Sequence, residues 1–351
     1  MDKLNIAVVG AGLIGKSHIH LLSDNPDSQL AAIVEPSQSG FQIAQDLGVP
    51  WYLSLDDMLK TFSPDGVILA TPNHLHVEQA IQCINSGIPA LIEKPVAHSV
   101  SEGKRLNDLL VKSDVPLLVG HHRMHSPIIS KAKDVIQSGS LGDLVAISGS
   151  ALFYKPDDYF VAGSWRTQPG GGPILINMIH DVGNLRYLCG EITAVQAMSS
   201  NARRGFDVED TVAMVFAFAN GALGTFTLSD TAGSAQSWEQ TSQENKAYST
   251  YEDEDCYHIA GTNGSLSVPT FRLKRFANPE ERSWWKPFES SVLDFERGDP
   301  LLAQLFHFCQ VIRGDARPLV SVWDGLQNLR VTDAIVKAVS TGRTVKIDEI
   351  L

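Results

Sequence analysis

Gly10-Ala-Gly12-Leu-Ile-Gly15 has the spacing G-x-G-x-x-G. Glycines so placed let a strand turn tightly into a helix and let the backbone approach a pyrophosphate, which then rests on the helix N-terminus. Gly10, Gly12, Leu13, Ile14 and Gly15 are therefore expected to cradle a dinucleotide. Glu35 comes twenty residues after Gly15, where a carboxylate can accept both ribose hydroxyls of an adenosine. Pro36 and Ser37 follow it, with no Arg or Lys alongside to neutralise a 2′-phosphate. NAD is expected rather than NADP.

Three more polar clusters each follow a short apolar run: Thr71-Pro72-Asn73-His74-Leu75-His76, Glu93-Lys94-Pro95 and Gly120-His121-His122-Arg123-Met124-His125. In an open parallel sheet, ligands collect at the carboxyl ends of the strands. That convergence assigns Thr71, Pro72, Asn73, His76, Glu93 and Lys94 to the cofactor site, and Arg123 to a carboxylate or hydroxyl pair of a substrate. His121, His122 and His125 are candidate pocket lining, as are Tyr154 and Trp165. No helix-spaced H-x-x-x-H and no matched carboxylate set accompanies the histidines, so no metal is expected.

A fourth stretch, residues 170–185, reads GGGPILINMIHDVGNL. A glycine run before Pro173 marks a helix start. The apolar residues after it imply burial, yet Asn177, His180, Asp181 and Asn184 recur at spacings of three and four. At about 100° per residue they form one stripe roughly 100° wide. Four buried polar side chains would need many partners. The stripe is expected to face a cleft between two domains instead.

The elements that must position these groups change character along the chain. Short apolar runs at residues 6–9, 30–34, 66–70, 90–92 and 117–119 alternate with helical patterns, which implies a parallel sheet with crossover helices. After a helix at 128–137, longer β-branched and aromatic segments follow at 144–153, 194–199, 211–218, 223–229 and 257–260. Asn220-Gly221 and Asn263-Gly264 supply turns, and an antiparallel sheet is expected. The polar, acidic residues 234–255 read as a long surface loop or lid. A last helix at 324–340 precedes a strand at 345–347. The expected division is a dinucleotide-binding domain, 1–123, and a substrate-binding and oligomerisation domain, 124–351, with the last helix packing back on the first.

The 351 residues suffice for two domains, and 43% apolar with 19% charged residues is an ordinary globular composition. A formal net charge of −12 argues against nucleic acid or an anionic membrane as the main partner. Four scattered cysteines without a C-x-x-C pair suggest reduced thiols in the cytoplasm. No apolar run approaches a membrane span, and the N-terminus leads into a strand without room for a signal peptide.

The ordered set GAGLIG, TPNHLH, EKPV, SWRTQPGGG and the helix bearing His180 resembles the Gfo/Idh/MocA family across essentially the whole chain. The resemblance implies a Rossmann domain followed by an α/β domain with a large, open antiparallel sheet, assembled as a homodimer or homotetramer. It implies reversible hydride transfer between a nicotinamide and a secondary alcohol of a sugar, cyclitol or related ring. Lys94 matches the lysine that touches the reacting hydroxyl and the nicotinamide ribose, Pro95 a proline after a cis peptide, and His180 the histidine that accepts the alcohol proton. Arg166 matches a substrate-contacting arginine.

The helix also departs from the family pattern. Ile176 and Gly183 stand where relatives carry aspartates, and Asn177 and Asp181 lie within a turn of His180. The working model is a Lys94–His180 pair oriented by Asn177, with Arg123, Tyr154, Trp165, Arg166, Asn177 and Asp181 toward the substrate. An NAD-dependent dehydrogenase of a cyclic polyol leads. Arg123 and Arg166 motivate a cis-dihydrodiol dehydrogenase on a carboxylated ring, and the missing aspartates a catalytically silent dinucleotide-binding regulator.

Overall fold

A computed structural model describes residues 2–23 and 25–351. The first part of the chain gives β1 (Leu4–Val9), α1 (Leu13–Ser23), β2 (Ser28–Val34), α2 (Gln38–Leu47), β3 (Trp51–Tyr52), α3 (Leu55–Thr61), β4 (Gly66–Leu69), α4 (His76–Asn85), β5 (Ala90–Glu93), α5 (Val100–Leu110) and β6 (Leu117–Gly120). Next come α6 (Pro127–Gln137), β7 (Leu144–Leu152), α7 (Asp157–Val161), α8 (Ile179–Cys189), β8 (Ile192–Ser200), β9 (Thr211–Phe218) and β10 (Leu223–Ser229). The rest is α9 (Trp238–Thr241), β11 (Tyr257–Gly261), β12 (Gly264–Val268), β13 (Arg272–Arg275), β14 (Glu289–Val292), α10 (Pro300–Arg313), α11 (Val322–Thr341) and β15 (Val345–Lys346).

The chain forms two compact units. One holds residues 1–122 and 301–329, the other 123–300 and 330–351. Residues 301–329 thus leave the second domain expected at 124–351. The reason lies in α10: Leu305, Phe308, Cys309 and Val311 are buried, and Phe308 and Ile312 press on the bare backbone of Gly66 in β4. Val119 of β6 also donates to the Val320 carbonyl at 2.9 Å.

In the first unit six strands lie in the order β3-β2-β1-β4-β5-β6, every neighbouring pair parallel. This is the doubly wound dinucleotide-binding order, whose strand order reverses beside β1. β4, β5 and β6 are buried along their whole length, which is why they read as unbroken apolar runs.

The second unit carries nine strands in the order β14-β13-β12-β11-β7-β10-β9-β8-β15. The sheet is mixed rather than wholly antiparallel, because β7 and β10 run parallel. The chain leaves β7 for the helical region, returns at β8, and steps back by antiparallel pairing through β9 to β10, which meets β7 in the same direction. Burial alternates along β9, β10 and β12, so one face is covered. α6 packs on both α8 and β12.

All four cysteines are free and buried. Burial pushes the Cys83 thiol up to about 12, and the Cys189 thiol likewise. Among the described residues no helix is long and apolar enough to cross a membrane.

Candidate active site

In the first unit the glycine turn closes as its spacing requires. A Cβ on Gly15 would lie 2.0 Å from the Gly10 carbonyl oxygen, whereas one on Gly12 would meet nothing within 4 Å. Gly15 therefore brings α1 against the turn, and Gly12 keeps the space above it open. Gly10 donates to the Val34 carbonyl at 2.8 Å, joining the turn to β2. Leu13 is exposed at the mouth of α1, followed by half-buried Ile14.

Glu35, just past β2, accepts from the backbone N–H of Ala11 at 2.9 Å and of Ser37 at 3.1 Å. Partial burial works to raise its carboxyl, but those two bonds, with the Ser37 hydroxyl, outweigh it and hold the group below the usual range. An ionised carboxylate thus stands against the glycine turn. Residues, open space and charge all fit the adenosine and pyrophosphate of a dinucleotide.

The polar strand ends of this unit have distinct jobs. Thr71 donates to Gln79 at 2.6 Å, and Pro72 precedes a short 3₁₀ turn that begins at Asn73. His76 is buried, with Nδ1 2.8 Å from the Pro95 carbonyl and Nε2 2.9 Å from that of Thr71. A neutral ring can donate to only one of them at a time. Burial lowers its pKa against the pull of both carbonyls. Glu93 is fully buried and bonded at 2.8 Å to His18. Burial would raise its carboxyl, but the hydrogen bond and charge of His18 outweigh it and hold the carboxyl low. Lys94, half-buried, follows directly, and the Lys94–Pro95 peptide is cis. His121 lies 3.2 Å from the Asn328 amide.

In the second unit the glycine run does two things. Gly172, at φ +31°, has no side chain because a Cβ would meet the Glu209 carboxylate at 2.5 Å. That carboxylate accepts the backbone N–H of Ile174 at 2.8 Å, which caps the helix start. The helix then opens with a π-turn over Ile174–Met178 before α8 begins. Such turns recur at functional sites. They also rotate Asn177 out of the phase that a regular α-helix would give it.

The stripe does not behave as one surface. Asp181 and Asn184 are buried and tied into a network of this unit: Tyr257 donates to Asp181, and Asn184 donates to the Tyr257 oxygen at 3.0 Å. Arg123, buried as well, lies 3.3 Å from Asp181 and also donates to Glu239. Its guanidinium stands 6.0 Å from the Trp238 ring. Burial raises Asp181 to about 6, moderated by Arg123 and Tyr257. Asn177 is half-buried and takes a hydrogen bond from Lys155 at 2.7 Å. His180 is buried beside them.

Arg166 donates to the Tyr159 carbonyl and stacks on that ring at 3.9 Å. Tyr154 and Trp165 are 62% and 55% exposed, which sets them apart from the core.

The segment 234–255 is a surface loop only in part: residues 245–253 are exposed and without helix or strand, but the stretch before them turns inward. Trp238 is 3% exposed and stacks on Tyr257 at 5.7 Å, while Ser237, Thr241, Ser242 and Asp255 are all buried. Its polarity misled because Glu239 and Glu244 turn inward to Arg123, Ser126 and Trp238. Four further residues escaped the sequence reading: His18, Lys155, Glu209 and Tyr257. Only Lys155, set among Phe153, Tyr154 and Tyr159, carried a local signal. Among the described residues no group of three His, Cys, Asp or Glu side chains stands ready to hold a metal.

The fold and the turn define a dinucleotide-binding protein of the Rossmann class. Residues 4–121 match the model "Oxidoreductase family, NAD-binding Rossmann fold", and residues 129–267 the "GFO/IDH/MocA C-terminal domain". The chain belongs to the Gfo/Idh/MocA family. It is 25% identical over 345 residues to the rhizopine catabolism protein MocA of Rhizobium meliloti, covering 97% of this chain and 96% of that protein. It is 25% identical over 358 residues to the scyllo-inositol 2-dehydrogenase (NAD(+)) of Bacillus subtilis, with 99% and 97% covered. Its fold is that of an Agrobacterium radiobacter oxidoreductase solved with NAD+, L-tartaric acid and magnesium, at a TM-score of 0.82, 19% identity and full coverage of both chains.

Proposed function

We propose that this chain is an NAD-dependent dehydrogenase acting on a secondary alcohol of a cyclic polyol. The observation that carries the proposal is the division of labour along the π-turn and α8. Asp181 and Asn184 serve the buried network, Asn177 is held by Lys155, and His180 is the member of the stripe whose chemistry suits proton exchange near neutrality.

Gly10, Gly12, Leu13, Ile14, Gly15, Glu35, Thr71, Pro72, Asn73, His76, Glu93 and Lys94 form the proposed dinucleotide site. When bound, the nicotinamide supplies the hydride acceptor. His180 takes the alcohol proton, the Lys94 ammonium steadies the charge that develops on the alcohol oxygen, and Asn177 orients the reacting group. The ionised Glu35 favours NAD, because a 2′-phosphate beside it would be repelled. Arg123 is already neutralised by two carboxylates, which supports an uncharged ring over a carboxylated one.

The test is nicotinamide absorbance with purified protein, NAD and NADP in parallel, over cyclitols, pyranoses, sugar acids and a carboxylated cis-dihydrodiol. Turnover of a neutral polyol with NAD is expected, and His180→Ala should lower kcat by roughly 10²–10⁴-fold while dinucleotide still binds. Lys94→Ala should weaken both. Turnover that survives both substitutions would overturn the mechanism, and silence across the panel with dinucleotide bound would favour a regulator.

A further inference from the structure

We infer that Lys155 is a positioning residue of the candidate site, locking the Asn177 side chain so that its amide nitrogen rather than its oxygen is offered to a ligand. The inference rests on the reading of Asn177 and His180 given under Proposed function. Lys155 lies just beyond β7, and its side chain is 11% exposed. Its Nζ donates to Asn177 Oδ1 at 2.7 Å and stands 3.8 Å from Asp230. The rings of Phe153 and Tyr159 flank it at 5.6 and 4.9 Å.

An ammonium carries three donors and no acceptor, so it can hold only the oxygen end of the amide. The surroundings keep it there. Asp230, nearly fully buried, is shared with Arg204, whose Nε lies 2.8 Å away and which also donates to the Lys155 carbonyl at 2.7 Å. Aromatic walls restrict the lysine stem, and a buried cation is costly to leave unpaired. Among the described residues nothing accepts from Asn177 Nδ2 in return. A ligand at this turn therefore meets a donor, and the group it presents must be an acceptor: a hydroxyl lone pair, a carbonyl or a carboxylate oxygen.

The lock also titrates. Burial lowers the Lys155 ammonium to about 8. Asp230 and Glu239 work against that shift, and Arg204 and Arg166 reinforce it. Once neutral, the amine can accept a hydrogen bond, and the amide is free to turn over. Recognition at Asn177 should then lose its polarity on the alkaline side.

Two measurements decide the point. The first needs no substrate: the side-chain amide resonance of Asn177, labelled with nitrogen-15 and assigned with Asn177→Asp, is followed from pH 6.5 to 9.5. It should titrate with a midpoint near 8 in the wild type, lose that midpoint in Lys155→Met, and stay in its low-pH form in Lys155→Arg. A flat response, or the same titration in Lys155→Met, overturns the inference. The second uses whichever polyol the panel turns over. Lys155→Met should lower kcat/KM about tenfold, mainly through KM, and remove the alkaline limb; Lys155→Arg should restore most of the loss without that limb. Unchanged kinetics in Lys155→Met would overturn the role. A silent panel with a normal amide titration would instead sink the dehydrogenase reading and leave the lock standing.

Discussion

Gly12 and Gly15 stand three residues apart and answer oppositely to a side chain. A Cβ at Gly15 drives into the Gly10 carbonyl, while at Gly12 it enters empty space. Gly12→Val should therefore fold with stability within about 0.5 kcal/mol of the wild type, as substitutions away from packing do. It should also lose dinucleotide affinity by at least about tenfold, or about 1.4 kcal/mol. Gly15→Ala should instead lower the melting temperature, because backbone must shift. Calorimetric melts beside NAD titrations separate the two; equal loss of stability in both would show that Gly12 serves packing. Spacing alone announced this turn, and Glu35 with it. Spacing could not announce that Glu35 also binds Ala11 and Ser37, since backbone partners leave no trace in residue type.

The segment 234–255 shows the same limit for an element. A polar, acidic run reads as solvated, yet Trp238 anchors it and Glu244 is folded in beneath Ser126 and the Trp238 indole. Burial raises the Glu244 carboxyl to about 7, despite those two donors. A carboxyl whose pKa is higher folded than unfolded binds more protons in the native state, so stability falls as pH rises from about 4.5 to 7. Glu244→Gln removes that ionisation. Its stability should gain on the wild type across this window, by an amount on the order of 1–3 kcal/mol at pH 8, read as a difference in melting temperature that widens with pH. A constant gap from pH 4.5 to 8 would place Glu244 in water. Elsewhere the elements were legible where both faces are buried, as in β4, β5 and β6. They were less so where pairing partners decide: the parallel contact of β7 with β10 follows from the return path through β8 and β9, which periodicity does not encode. The apolar spacing of α10 was present in Leu305, Phe308, Cys309 and Ile312, but its membership of the first unit is a tertiary fact.

For the whole molecule, that membership matters most. Residues 1–122 contain every strand of the six-stranded sheet, yet α10 and the start of α11 cover part of it: Leu326 lies against Gly103, and Gly325 against Val96 and Val119. Burying one side chain such as Phe308 is worth about 1.5–3 kcal/mol. A fragment of residues 1–122 should therefore show no cooperative thermal transition by circular dichroism, while the full chain does. A fragment that melts cooperatively and binds NAD would show that the parallel sheet is self-sufficient. The distribution of the cysteines has a further consequence. Cys83 and Cys309 belong to one unit, Cys189 and Cys256 to the other, and all four thiols are shielded from solvent. The molecule thus carries its own reporters: a thiol reagent applied to the native protein reads the opening of each unit separately, and peptide mapping tells which half breathes first.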